Sequence, residues 1–223
     1  MDLLPRQQIY ILSFVKENSK AEIAFELSFI TRFLKEILWI SLVTQHITSD
    51  STVGKSALVH AFRSESAHFL KNYTLTTGVE VFVNPVPIPD TADCVELFLF
   101  DSSGKEIFYD MVESQWELVA AICLVYDITS EASFNSCTKW LERARAQAPS
   151  GQLAGVLVGN KTDLAGRRTV EYSQAQEWAA GQGLEYFETS AKEMENCDAP
   201  FQSLAKAFHR MYEEKLEHIQ SII

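Results

Sequence analysis

Seven residues, Asp50-Ser51-Thr52-Val53-Gly54-Lys55-Ser56, constrain this chain more than any other stretch. They complete most of the pattern G-x-x-x-x-G-K-[ST]. In that pattern backbone N–H groups cradle phosphates, the lysine reaches the outer two, and the hydroxyl binds Mg²⁺. Gly54 then lets the backbone approach closely, Lys55 carries the charge and Ser56 holds the metal. The first glycine of the pattern falls at position 49, where this sequence has Ser49. A V-G-K-S run also arises by chance, so the segments downstream decide its meaning.

From Gly54 on, strand and helix signals alternate. Lys55 to Arg63 reads as a helix leaving the loop. Glu80 to Val86 and Val95 to Phe100 read as strands, separated by the turn-forming P-I-P-D-T-A-D. Ala120 to Tyr126 is a continuous apolar run, as expected of a buried parallel strand. Ser130 to Ala148 reads as a helix with Ser130 as N-cap. Gly155 to Val158 is another buried strand. Ser173 to Gln182 is a helix ended by Gly183, and Glu185 to Thr189 is the last strand. Ala199 to Glu217 is a long helix with Phe201, Leu204, Phe208, Met211 and Leu216 on one face. The alternation predicts an α/β fold, a parallel sheet covered by helices on both faces.

The first strand of that sheet is the open point. It should be Leu42 to Thr48, but Gln45 and His46 interrupt the apolar run, and Ile37 to Val43 is a rival. Residues 1–48 therefore read as an atypical N-terminal extension. Ile23, Leu27, Ile30, Leu34, Ile37 and Ser41 recur at helical steps within it. Residues 49–217 read as the nucleotide-binding domain and 218–223 as a short tail.

Charge and cysteine usage narrow the function. A net charge of −11 argues against nonspecific nucleic-acid binding, which needs a basic face, and against a polybasic membrane anchor. Cys94, Cys123, Cys137 and Cys197 lack metal-ligand or C-x-x-C spacing and read as free thiols in a reducing compartment. The glycosylation sequons at Asn72 and Asn160 then read as coincidences. Arg32, Lys35 and Glu36 interrupt the apolar stretch from Phe25 to Val43, against a membrane span. No secretory signal is evident. His218 to Ile223 holds no cysteine, so no prenyl anchor is expected.

Three further segments follow strands. In Asp101-Ser102-Ser103-Gly104 the aspartate can hold Mg²⁺ through water, and the glycine can offer its N–H to a terminal phosphate. Alone, the segment is an ordinary turn. In Asn160-Lys161-Thr162-Asp163 the aspartate can accept two N–H donors from a guanine edge, a pair that adenine lacks. The Lys161 stem can lie against the base while Asn160 ties loops together. In Thr189-Ser190-Ala191-Lys192 a small residue lets a backbone N–H approach the guanine oxygen. The plainer reading is a helix-start turn capped by Ser190.

Taken in order, V-G-K-S, Y-T-L-T-T-G, D-S-S-G-K-E, N-K-T-D and T-S-A-K resemble the Ras-superfamily small GTPases, from about Asp50 to the end of the last helix. The spelling is Rab-like, as in L-V-Y-D-I-T at Leu124 to Thr129 and the helix holding Trp140. Asn72 to Gly78, Asp101 to Glu106, Val158 to Arg168 and Phe187 to Asn196 look most like the Rab-like GTPases of the intraflagellar transport B complex. The resemblance implies an α/β fold of the P-loop NTPase kind, a mainly parallel six-stranded sheet with helices on both faces and a doubtful or replaced first strand, with GTP or GDP and Mg²⁺ as cofactors. It makes Asp50, Ser51, Thr52, Val53, Gly54, Lys55 and Ser56 the phosphate cradle. It makes Thr76 and Gly104 the switch contacts, and Ser56, Thr76 and Asp101 the metal residues. Asn160, Lys161, Asp163, Ser190, Ala191 and Lys192 become the guanine pocket, with Lys55, Gly104 and Lys105 at the reacting phosphate. It also implies subunits of that complex as partners, with a heterodimer partner on the C-terminal helix. No nucleic acid and no lipid anchor are implied, and the location is cytoplasm and cilium.

Two departures qualify this. Lys105 stands where family members have glutamine, which orients the attacking water. An ammonium donates but cannot accept a hydrogen bond, so slow hydrolysis is expected. The second departure is everything before Asp50, which reads as an alternative first exon, a gene-model fault or a partner- or membrane-binding helix. Ser49 in a tight turn is expected to be strained by roughly 1–3 kcal/mol. The competing function is a nucleotide-free interaction scaffold or non-functional isoform. A small-molecule P-loop kinase is disfavoured by N-K-T-D.

Overall fold

The computed structural model describes residues 43–63, 76–114, 121–147 and 153–222. Residues 1–42 of the N-terminal extension, with its expected helix and membrane contact, and Asn72 to Leu75 lie outside the described residues.

The first strand is present, and it is central. β1 (Val43–Thr48) lies between β3 (Cys94–Ser102) and β4 (Ala121–Asp127), parallel to both. This corrects the expectation of a doubtful or replaced strand. Pairing on both sides satisfies the backbone polar groups whatever the side chains are. His46 is accommodated because its ring stacks on Phe100, with centroids 4.8 Å apart. The ring is buried, and burial pushes its pKa down to about 4, so it is neutral near pH 7.

The sheet order is β2-β3-β1-β4-β5-β6. β2 (Val79–Pro87) is an edge strand, antiparallel to β3. β5 (Ala154–Asn160) and β6 (Glu185–Thr189) extend the parallel part. Alternate residues of β4 face opposite cores. Cys123 and Val125 join Ile47, Leu58, Leu97, Leu99 and Phe201 in one core. Its helices are α1 (Lys55–Arg63) and α5 (Ala199–Ile222), joined by Phe62 stacked on Phe201 at 4.1 Å. Ile122, Leu124 and Tyr126 face the other core with Phe134, Trp140 and Leu157, under α3 (Glu131–Gln147) and α4 (Tyr172–Gly181). A short α2 (Tyr109–Ser114) follows β3 after a single 3₁₀ turn.

The helix ends follow the sequence signals. Ser130 Oγ accepts the Ser133 N–H at 3.3 Å, the expected N-cap of α3. Gly183, at φ +71°, closes α4, its N–H bonding to the Ala180 carbonyl. α5 runs on to Ile222, through residues expected to be a tail. The parallel strands deliver their C-terminal ends to one edge, where ligands bind in open sheets of this kind.

His46 gives the fold an acid sensitivity. Its folded pKa of about 4 lies below the ordinary 6.5, so the unfolded chain binds the proton more readily. The contribution is full above pH 6.5 and is lost as pH falls through about 4, a loss of roughly 3 kcal/mol. Urea unfolding between pH 7 and 4 should therefore show a shallower decline in His46→Leu than in the parent chain.

Candidate functional site

The loop from Ser49 to Gly54 joins β1 to α1. Lys55, the first residue of α1, is only 6% exposed and turns back across the loop. Its ammonium donates to the Ser49 carbonyl at 3.0 Å and the Asp50 carbonyl at 2.7 Å. Burial lowers its pKa to about 8, against the opposing pull of Asp101 and Asp50. The expected strain at Ser49 is absent. The left-handed backbone falls instead on Thr52, at φ +68°, and on Gly54, at φ +101°. A β-branched residue in that region is an outlier. It is held there by Lys161, whose ammonium donates to the Thr52 carbonyl at 2.8 Å.

The three residues expected to hold a metal converge from separate elements. Ser56 Oγ on α1 and Thr76 Oγ1, before β2, are 2.9 Å apart. Asp101, near the end of β3, is buried, and neither carboxylate oxygen has a hydrogen-bond partner within 3.5 Å. Burial raises its pKa, while the neighbouring Ser56 hydroxyl and Lys55 charge pull it down. A buried, unsatisfied carboxylate is costly unless something pairs with it. With two hydroxyls at hand it suits a hard cation. Mg²⁺ in particular takes one or two carboxylates and completes its shell with phosphates and water. No group of three His, Cys, Asp or Glu suited to a metal exists among the described residues.

Gly104 packs directly against the Ser49–Gly54 loop. A Cβ there would come within 2.3 Å of the Asp50 carbonyl carbon and 2.4 Å of the Ser51 nitrogen, so only glycine fits. The Ser103 N–H donates to the Gly78 carbonyl at 2.8 Å, tying this segment to the start of β2. Lys105 is exposed, immediately before the 3₁₀ turn Glu106–Phe108. A cavity of about 420 Å³ adjoins this region, lined in part by Asp50, Ser51, Gly104, Tyr109, Ser133 and Lys139.

Asn160 ends β5 and connects three loops. Its Nδ2 donates to the Val53 carbonyl at 3.0 Å. Its Oδ1 accepts the Thr189 hydroxyl at 3.1 Å and the Ala191 N–H at 3.2 Å. Gly54 is required below it, since a Cβ there would lie 2.3 Å from Asn160 Nδ2. Lys161 adopts φ +71° and pairs with Asp127 at 2.6 Å. Asp163 accepts from Ser190 Oγ at 2.8 Å and pairs with Lys192 at 3.3 Å. Ser190 Oγ also accepts the Glu193 N–H at 3.1 Å. Ser190 thus caps the turn and supports Asp163 at once. Ala191 is buried.

Sequence reasoning missed Trp140 and Asp127. Trp140 on α3 donates Nε1–H to Asp50 Oδ1 at 3.2 Å, tying the Ser49–Gly54 loop to α3. Tyr109 meets the Trp140 ring edge-on at 5.0 Å, and the Arg143 guanidinium lies 4.7 Å from the Tyr109 centroid. Helical spacing marks Trp140 as core and gives no sign of a partner 90 positions away. Asp127 follows the apolar run of β4. Burial opposes its ionisation, but Lys161 and Thr129 outweigh it and hold its pKa below the usual range.

Residues 46–210 match the Ras family model, and the chain belongs to that family. Among individual relatives, it is 62% identical over 177 residues to the intraflagellar transport protein 27 homolog of Bos taurus, covering 79% of this chain and 95% of that protein. It is 43% identical over 178 residues to intraflagellar transport protein 27 of Chlamydomonas reinhardtii, covering 78% and 87%. Ras-related protein Rab-39A of Homo sapiens is 33% identical over 178 residues, covering 79% and 82%.

The strained position yields a direct expectation. Thr52→Gly removes a β-branched side chain from a left-handed backbone and should raise unfolding stability by about 1 kcal/mol. Chemical denaturation of the two chains measures it.

Proposed function

We propose that this chain is a Rab-like guanine-nucleotide switch that hydrolyses GTP slowly and works as a subunit of an intraflagellar transport complex, in the cytoplasm and cilium. The observation that carries the reading is the meeting of Ser56, Thr76 and Asp101, three residues far apart in sequence. Such a meeting suits a bound Mg²⁺ with a terminal phosphate. A metal held there would supply positive charge against the developing charge of the terminal phosphate. Ser56, Thr76 and Asp101 would hold it. Lys55 would exchange the Ser49 and Asp50 carbonyls for phosphate oxygens. The Gly104 N–H would meet the terminal phosphate, and loss of that phosphate would release both switch segments.

Guanine selection would rest on Asp163, with the Ala191 N–H on the guanine oxygen and the Lys161 stem along the base. In fluorescent-nucleotide competition, GDP should displace the probe and ADP should not. Asp163→Ala should weaken GDP by about a hundredfold or more, since two charge-assisted hydrogen bonds are lost. Equal displacement by ADP and GDP would contradict this.

Slow hydrolysis follows from Lys105, an exposed cation where a water-orienting amide is needed. In single-turnover assays Lys105→Gln should hydrolyse GTP on the order of tenfold faster or more. An unchanged rate would remove Lys105 as the cause.

The transport role rests on relatives that carry intraflagellar transport names. α5 is the surface we assign to a heterodimer partner. It continues to Ile222, and Met211 on it is 40% exposed. No part of this reading needs nucleic acid or a lipid anchor.

A further inference from the structure

One row of residues beneath the nucleotide site is unused by the reading above. β4, β5 and β6 are in register there, with Tyr126 beside Gly159 and Gly159 beside Glu188. The next row holds Asp127, Asn160 and Thr189. The lower row therefore sits directly behind the residues that join the base loops.

Four side chains link across it. Arg168 donates to Glu188 through two parallel bonds of 2.7 and 2.8 Å, and again to the Val170 carbonyl at 3.1 Å. Tyr186 donates its hydroxyl proton to Glu188 Oε1 at 2.7 Å. That proton is then committed, so the 2.7 Å contact between the two tyrosine hydroxyls must run from Tyr126 to Tyr186. The polarity of the chain is thereby fixed. Gly159 makes room for it, since a Cβ there would lie 2.8 Å from both hydroxyls. Burial would raise the Glu188 pKa, but the Arg168 bonds and the Tyr186 hydroxyl hold it below the usual range, so it accepts as a carboxylate.

Two members of this chain, Arg168 and Glu188, adjoin the two base loops. Arg168 closes the 3₁₀ segment Thr162–Arg167 that carries Asp163. Glu188 immediately precedes Thr189, Ser190 and Ala191, and its carbonyl accepts Asn196 Nδ2 at 2.9 Å. A planar, two-point guanidinium–carboxylate contact fixes distance and angle together, which an ammonium cannot do.

We propose that Arg168, Glu188, Tyr186 and Tyr126 are positioning residues for guanine selectivity, with the Arg168–Glu188 pair setting the separation of Asp163 from the Ala191 N–H. The proposal rests on the nucleotide reading above. Two donors must reach one carboxylate while one N–H reaches the guanine oxygen, so misplacement by a fraction of an ångström loses selectivity before it loses binding.

The test compares GDP with IDP, which lacks the 2-amino group that Asp163 would read, on the full chain. The parent should favour GDP. Arg168→Gln and Glu188→Gln should each lower the GDP-to-IDP affinity ratio by about tenfold, the worth of one charge-assisted contact. Arg168→Lys, which keeps the charge without the fork, should recover only part of the ratio. Tyr126→Phe keeps the ring and should lower the ratio by about fivefold or less; it serves if an Arg168 variant does not fold. A ratio unchanged in every folded variant, with both affinities falling together, overturns the positioning role and leaves the nucleotide reading intact. A parent chain that binds no GDP overturns the nucleotide reading and the proposal with it.

Discussion

The site depends on the side-chain amide of Asn160. One donor and one acceptor atom, at the end of a fully paired strand, tie the Ser49–Gly54 loop to the loop of Ala191. Asn160 is 1% exposed, so its amide cannot turn to water instead. Buried polar groups of this kind are costly when half satisfied and rigidifying when complete. Gly54 is the counterpart of that clamp, leaving room for the amide where a Cβ would collide with it. No carboxylate could replace Asn160, because the contact to Val53 needs a donor and the contact to Ala191 needs an acceptor.

Around this clamp the charges are arranged for an anion and a cation together. Lys55 is buried beside Asp101, and burial weakens the charged form of each. Each supports the other's charge, but the pair leaves the Asp101 oxygens without hydrogen bonds. The opposite solution appears two strands away, where Asp127 is fully engaged by Lys161 and Thr129. The satisfied pair has the character of scaffolding. The unsatisfied carboxylate has the character of a ligand site, in keeping with the tendency of perturbed groups to gather at functional positions.

Much of this was legible in the sequence, for identifiable reasons. Continuous apolar runs marked β4 and β5, since strands buried on both faces leave no polar alternation. The loop motifs stood out because each follows a strand end with particular residue types at fixed spacing, and the structure brings those loops together. β1 was the hardest strand to read, because Gln45 and His46 break the apolar signal. Two-sided pairing and the stack on Phe100 supply what the apolar pattern lacks. Strain was expected at Ser49 because the motif lacks its glycine there, yet the loop places its left-handed residue at Thr52. A motif records which residue types recur and not which backbone angle each adopts. The link from Trp140 to Asp50 was out of reach because it is made by packing α3 against the loop, with no local pattern to announce it.

The central claim is that the clamped loops form a working guanine-nucleotide and Mg²⁺ site in this chain. Calorimetric titration of the full chain with GTP, with and without Mg²⁺, tests it most directly. The account predicts saturable binding at one nucleotide per chain, tightened by Mg²⁺ through Ser56, Thr76 and Asp101. An absence of binding in the presence of Mg²⁺, by a chain that unfolds cooperatively, would contradict it and leave the fold as an interaction scaffold.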